Sequence, residues 1–93
     1  MEIKHVKGKK KADLLLYTLS TCGWCKKTKQ LLNEKGVAYS YVDVDLLDDE
    51  ENEKVMEEIR KWNPSTSFPT IVVNGKECIR GYKPDELLEV IDK

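Results

Sequence analysis

The chain has 93 residues, 40% of them apolar and 35% charged, and its sixteen Lys and Arg against seventeen Asp and Glu leave a net charge of −1. That length holds one small domain, and this composition excludes both a disordered chain and the basic excess of a nucleic-acid or anionic-membrane binder. Its apolar runs, such as Leu14-Leu15-Leu16-Tyr17 and Ile71-Val72-Val73, are far shorter than the roughly 20 residues of a membrane span. A cytoplasmic location is expected, with no membrane and no nucleic-acid partner.

In chain order, Ile3 to Val6 has the pattern of a short edge strand inside a charged N-terminal arm, residues 1–12, and Lys7 to Lys11 reads as a solvated loop. Leu14 to Leu19 is a continuous apolar run, the mark of a central strand covered on both faces. Ser20-Thr21 offers hydroxyl caps to a helix beginning close to Cys22, with Trp24, Thr28, Leu31, Leu32 and Lys35 at helical spacing and Gly36 as its stop. Val37 to Asp45 is predicted as a second strand, with Val37, Tyr39, Tyr41 and Asp43 on one side and Ala38, Val42 and Val44 on the other.

Asp48 to Glu51 place negative charge where a helix N-terminus favours it, and Val55, Met56, Ile59 and Trp62 form the apolar stripe of a second helix that ends before Pro64. Asn63 to Ser67 is loop chemistry. Thr70 to Val73 and Lys76 to Arg80 flank Asn74-Gly75, the dipeptide of a two-residue type I′ hairpin turn. Pro84 marks the first turn of a last helix, whose stripe is Leu87, Leu88 and Ile91. The order β-α-β-α-β-β-α predicts an α/β sandwich of two or three layers across residues 1–93.

The chemistry sits at Cys22-Gly23-Trp24-Cys25, two thiols one helical turn apart where a central strand meets a helix. The free N–H groups and positive end of the helix favour a thiolate at Cys22, making it the nucleophile, and Lys26, Lys27 and Lys29 add positive charge. Thr21 and Lys26 are the candidates for tuning its acidity. Cys25, one turn inside the helix, is placed to resolve a mixed disulfide on Cys22. A closed zinc site needs four ligands, and only Cys78 and His5 remain as candidates, so no metal is assigned. Cys78 reads as a half-buried small residue, His5 as a surface group, and the seven carboxylates from Asp43 to Glu53 as a solvated face.

With Leu14 to Thr18, the Cys22–Cys25 pair, Phe68-Pro69-Thr70 before a hairpin and Gly81 before the last helix, the chain resembles the glutaredoxin family of the thioredoxin fold. The resemblance implies a four-stranded mixed sheet in order 2-1-3-4 flanked by three helices. It also implies a cis-proline at Pro69 beside Cys22, with Phe68 offering its backbone to an extended substrate. Trp24, Phe68, Pro69, Gly81 and Tyr82 are the substrate-binding candidates; Trp24 and Tyr82 also have plain packing readings. The implied activity is thiol–disulfide exchange on protein or small-molecule disulfides by a monomer that needs no resident cofactor.

Glutathione-using glutaredoxins carry Asp where this chain has Lys83, which reverses the sign of a contact to the glutathione amino group. Gly81-Tyr82-Lys83-Pro84-Asp85 is similar instead to the Gly-Phe-Arg-Pro-Asp segment of NrdH-redoxins. The electron donor is therefore expected to be a thioredoxin reductase-like enzyme or a low-molecular-weight thiol. Gly23, in the place of the usual active-site Pro, leaves open a second reading, a [2Fe–2S] cluster shared between two chains; a non-catalytic binding module using the same groove is a third.

Overall fold

The computed structural model describes residues 3–92. Its strands are β1 (Lys4–Val6), β2 (Leu14–Thr18), β3 (Tyr39–Asp43), β4 (Thr70–Val73) and β5 (Glu77–Arg80), and its helices α1 (Gly23–Glu34), α2 (Asp49–Trp62) and α3 (Pro84–Ile91). Val44–Leu46 forms a single 3-10 turn.

The expected four-stranded sheet is corrected to five strands in the order β1-β3-β2-β4-β5. Beyond β1, the order β3-β2-β4-β5 follows the chain pattern 2-1-3-4; the fifth strand exists because Lys4–Val6 pairs antiparallel with Tyr39–Tyr41 at the otherwise open edge of β3. The β2–β3 pair is parallel, and β4 and β5 run antiparallel to their neighbours. The arm is also less of a free loop than its lysines suggest. Lys9 N–H donates to the Gly36 carbonyl at 2.8 Å and Ala38 N–H to the Lys9 carbonyl at 2.9 Å. Gly8 permits this approach, since a Cβ there would stand 2.6 Å from the Gly36 oxygen.

Alternation along the strands sorts the core into two layers. Leu14 and Leu16 of β2 join Leu32, Tyr39, Ile71, Val73, Ile79, Leu87 and Ile91 on the face covered by α1 and α3. Tyr17 joins Val42, Val44, Val55, Ile59 and Val72 on the face covered by α2. The result is a three-layer sandwich in which β2 is buried from both sides, the reason its sequence runs apolar without a break.

Local chemistry sets the ends of the elements. After α1, Gly36 adopts φ +66°, Gly36 N–H bonds to Asn33 O and Val37 N–H to Leu32 O, the paired bonds of a Schellman stop. The buried side chains of Leu32 and Val37 complete it. The predicted strand from Val37 to Asp45 is thereby shortened to Tyr39–Asp43: Val37 belongs to the helix stop and Val44 to Leu46 turn back as 3-10. Asp48 caps α2, its carboxylate accepting from Glu51 N–H at 2.8 Å. Asn74 and Gly75 both take positive φ, 54° and 65°, as a type I′ turn requires.

Candidate active site

Both parallel strands, β2 and β3, point their C-terminal ends at the same pole, and the turn from Leu19 to Cys22 leaves β2 there. The sequence suggested hydroxyl caps at Ser20 and Thr21; the cap of α1 is instead Cys22 itself, whose Sγ accepts from Cys25 N–H at 3.2 Å. Sulfur thus occupies the position where Ser or Asp normally satisfies a free N–H of the first turn. The Cys22 sulfur therefore sits at the positive end of α1 with a backbone N–H aimed at it. Ser20 has a different partner: its N–H and hydroxyl both donate to Asp45, tying the turn to the 3-10 segment that follows β3 and holding the Asp45 carboxyl below its usual range. Thr21 and Lys26 are exposed on either side of the pair.

The two thiols differ sharply in environment. Cys22 is half-buried, whereas Cys25 is 0% exposed. Burial first, and the hydrogen bond with Cys22 second, push the Cys25 thiol up to about 12, against smaller opposing effects of the Leu19 backbone and the Lys29 ammonium. Cys25 is consequently a protonated thiol at neutral pH.

The wall beside the thiols is built from three distant stretches. Phe68-Pro69 is a cis peptide, with Pro69 buried and Phe68 half-buried against the α2-side core. The β2–β4 register pairs Tyr17 with Thr70, so Pro69 lies level with the end of β2 from which the cysteine turn departs. Gly81, at φ +83°, donates its N–H to the Pro69 carbonyl at 2.7 Å and turns the chain from β5 towards α3. Tyr82 then stacks on Trp24, ring centroids 5.4 Å apart at 23°, and Lys27 Nζ stands 4.9 Å from the Trp24 ring. Trp24 remains 55% exposed, so this aromatic pair forms an open surface rather than core. Trp24, Phe68, Pro69, Gly81 and Tyr82 thus converge on one end of the sheet, around the Cys22–Cys25 turn.

Asn63 and the Lys29–Asp43 pair support the site; sequence marks Lys29 as positive charge beside the thiols but marks neither Asn63 nor Asp43 as a support. Asn63 is wholly buried at the end of α2; its Nδ2 donates to Ser67 O, Ser67 Oγ and Thr70 Oγ1 at 3.2, 2.9 and 3.1 Å, and its Oδ1 accepts from Ser65 Oγ at 2.7 Å. It braces the loop that delivers Pro69. Lys29 and Asp43 form an ion pair of 3.1 Å beneath the turn, and Thr18 Oγ1 donates to the same Asp43 oxygen at 2.6 Å. The Cys25-to-Lys29 spacing of four residues is a usable signal for one half of this pair; Asp43 required the tertiary register, whereas Asn63 meets Ser65, Ser67 and Thr70 within the next seven residues.

The remaining candidates lie elsewhere. Cys78 is half-buried in β5, where burial raises its thiol, and His5 Nδ1 pairs with Ser40 Oγ at 2.7 Å on β1. Among the described residues no three His, Cys, Asp or Glu side chains gather as a metal site. The [2Fe–2S] reading that Gly23 leaves open would take Cys22 from each of two chains and two external thiols, and Cys22 is the more accessible thiol of the pair. No helix among the described residues is long and apolar enough to cross a membrane.

Known proteins are similar to this chain in sequence and fold. The family model described as Glutaredoxin matches residues 14–78. A glutaredoxin-like 8.6 kDa protein encoded in the rubredoxin operon of Clostridium pasteurianum is 36% identical over 78 residues, 84% of this chain and 96% of that protein. Among solved structures, the glutaredoxin of Methanosarcina mazei superimposes with a TM-score of 0.89 at 44% identity, covering 100% of this chain and 90% of that one. The methanoredoxin of Methanosarcina acetivorans gives 0.88 at 42%, covering 92% and 90%.

Proposed function

Since this chain belongs to the glutaredoxin family, we propose that it is a dithiol thiol–disulfide oxidoreductase that reduces protein or small-molecule disulfides. The observation that carries the reading is the asymmetry of the two cysteines: Cys22 at the helix cap with an N–H on its sulfur, Cys25 fully buried one turn behind it.

The Cys22 thiolate attacks one sulfur of the substrate disulfide, the S–S bond breaks, and the leaving thiolate takes a proton. Cys25 then attacks Cys22 Sγ, the Cys22–substrate bond breaks, and the substrate departs as a second thiol. Two electrons pass to the substrate and Cys22–Cys25 is left as a disulfide, which an external reductant restores. A buried, protonated Cys25 cannot compete as the first nucleophile, which sets the order of the two steps. The substrate segment lies along Phe68 and Pro69, with the Trp24–Tyr82 stack as its aromatic flank.

The donor is a low-molecular-weight thiol or a thioredoxin reductase-like enzyme. Lys83 supports this reading: its exposed ammonium, loosely paired with Glu86 at 3.6 Å, repels the amino group of glutathione in the pose that an Asp at this position would hold. The test is direct. Cys25→Ser is expected to accumulate a mixed disulfide on Cys22, Cys22→Ser to lose turnover, and a panel of reductants to rank glutathione below a reductase or another small thiol. Full activity in the Cys22 variant would refute the assigned roles, and preference for glutathione would refute the reading of Lys83.

A further inference from the structure

We infer that Lys29, anchored by Asp43, is the positioning residue that makes Cys25 a competent resolving nucleophile, an inference that rests on the dithiol reading above. Cys25 must lose its proton to attack, yet it is wholly buried. Four residues on, Lys29 lies on the same face of α1. Its Nζ is held between Asp43 Oδ1 at 3.1 Å and the face of Tyr41, 3.9 Å from the ring centroid, while Thr18 Oγ1 fixes the same Asp43 oxygen from β2.

The Lys29 and Asp43 side chains are only 20% and 14% exposed, whereas both partners of Lys10–Asp13, Lys54–Glu50, Lys61–Glu58 and Lys83–Glu86 are more than half exposed. Desolvation offsets the attraction in such a pair, so stability alone is a weak reason for burying it. What the pair and the Tyr41 ring do is hold the Lys29 ammonium fixed on the thiol's side of the helix. The groups facing Cys25 are Cys22 and Lys29 from α1 and the Leu19 backbone from the turn, with Thr18, Tyr41 and Asp43 arranged around Lys29 from β2 and β3. Of these, the Lys29 ammonium and the Leu19 backbone are the two that favour the Cys25 thiolate against burial.

In the resolving step the Cys25 thiol releases its proton and the thiolate attacks Cys22 Sγ. The Cys22–substrate S–S bond breaks and the departing substrate thiolate takes up a proton. Cys25 is oxidised, the substrate sulfur is reduced, and no other reactant enters. Lys29 forms and breaks no bond in this step and acts only through its field.

The experiment uses the full chain carrying Cys78→Ser, mixed with the neutral chromogenic disulfide 4,4′-dithiodipyridine between pH 6 and 10. Release of the first thiopyridone reports attack by Cys22, and release of the second reports resolution by Cys25. Lys29→Met is expected to lower the second-phase rate across this range, because the Cys25 thiolate loses a favourable neighbouring charge. Near neutral pH this slows resolution about threefold, because the loss of thiolate is partly offset by its greater nucleophilicity. The first phase slows less than the second, and Lys29→Arg keeps the wild-type profile. Lys29→Gln repeats the comparison if the Met variant lacks the native circular dichroism spectrum. A second phase in both neutral variants that superimposes on wild type, or a first phase slowed as much as the second, overturns the inference. Absence of any first phase at Cys22 in the wild type instead removes the dithiol reading, and this inference with it.

Discussion

Replacing Asn63 with Ala tests how the cis-proline loop is held. Asn63 is 0% exposed, and the substitution removes its donors to Ser67 O, Ser67 Oγ and Thr70 Oγ1 and its acceptor for Ser65 Oγ. Ser65 and Ser67 are exposed and turn to water, and buried Thr70 still donates to Ser67 O at 2.8 Å. Two or three net hydrogen bonds at about 1 kcal/mol each, plus a small cavity, give a loss of about 2–4 kcal/mol. For a domain of this size that lowers Tm by roughly 10–25 °C. Urea unfolding followed by circular dichroism measures the loss. Asn63→Asp keeps only the acceptor and buries a carboxylate, so it falls at least as far. Because the loop carries Phe68 and Pro69 while Cys22 is held by α1, KM for a peptide disulfide rises at a temperature where the variant is folded, and the rate of Cys22 alkylation by iodoacetamide does not change. A stability loss below about 0.5 kcal/mol, well under one net hydrogen bond, or an alkylation rate that falls with turnover, would refute the bracing role.

Two further outcomes follow from the site. The Cys25 thiol titrates at about 12 in the fold against 9.0 ordinarily; below about pH 9 both folded and unfolded chains hold the proton, whereas between these values the unfolded chain alone releases it. Cys25 alone therefore lowers stability by about 1.4 kcal/mol per pH unit across that window, and Cys25→Ala has a correspondingly shallower alkaline slope in urea unfolding, the remainder coming from Cys78, Tyr17 and Tyr39, which burial also raises; parallel slopes would contradict the burial of the thiol. The Trp24–Tyr82 stack is expected to show a coupling of about 0.5–1 kcal/mol in a double-mutant cycle of the two Ala variants, read from urea unfolding. Strict additivity would show that the rings meet without contributing.

Much of this architecture is legible locally. The unbroken apolar run of β2, the period-2 alternation of β3, the Asn74-Gly75 turn, Pro84 at the start of α3 and Gly36 at the end of α1 each express a preference of a few adjacent residues. Cys-x-x-C between a strand and a helix is equally local, since one helical turn alone brings two thiols within bonding reach. Sequence by itself therefore determined the element order, the redox pair and which thiol lies deeper.

The tertiary structure decided what depends on register between segments far apart in the chain. Lys4 to Val6 became a fifth strand because β3 offered an unpaired edge, and Lys9 joined Val37 because Gly8 lets two backbones touch. Cys22 displaced the hydroxyls as helix cap because Ser20 was drawn to Asp45, 25 residues away. The pairing of Thr18 with Asp43 across β2 and β3 brings a carboxylate under Lys29. These are single side chains whose partners are set by sheet pairing and helix packing, and no window of neighbouring residues contains both halves of the interaction.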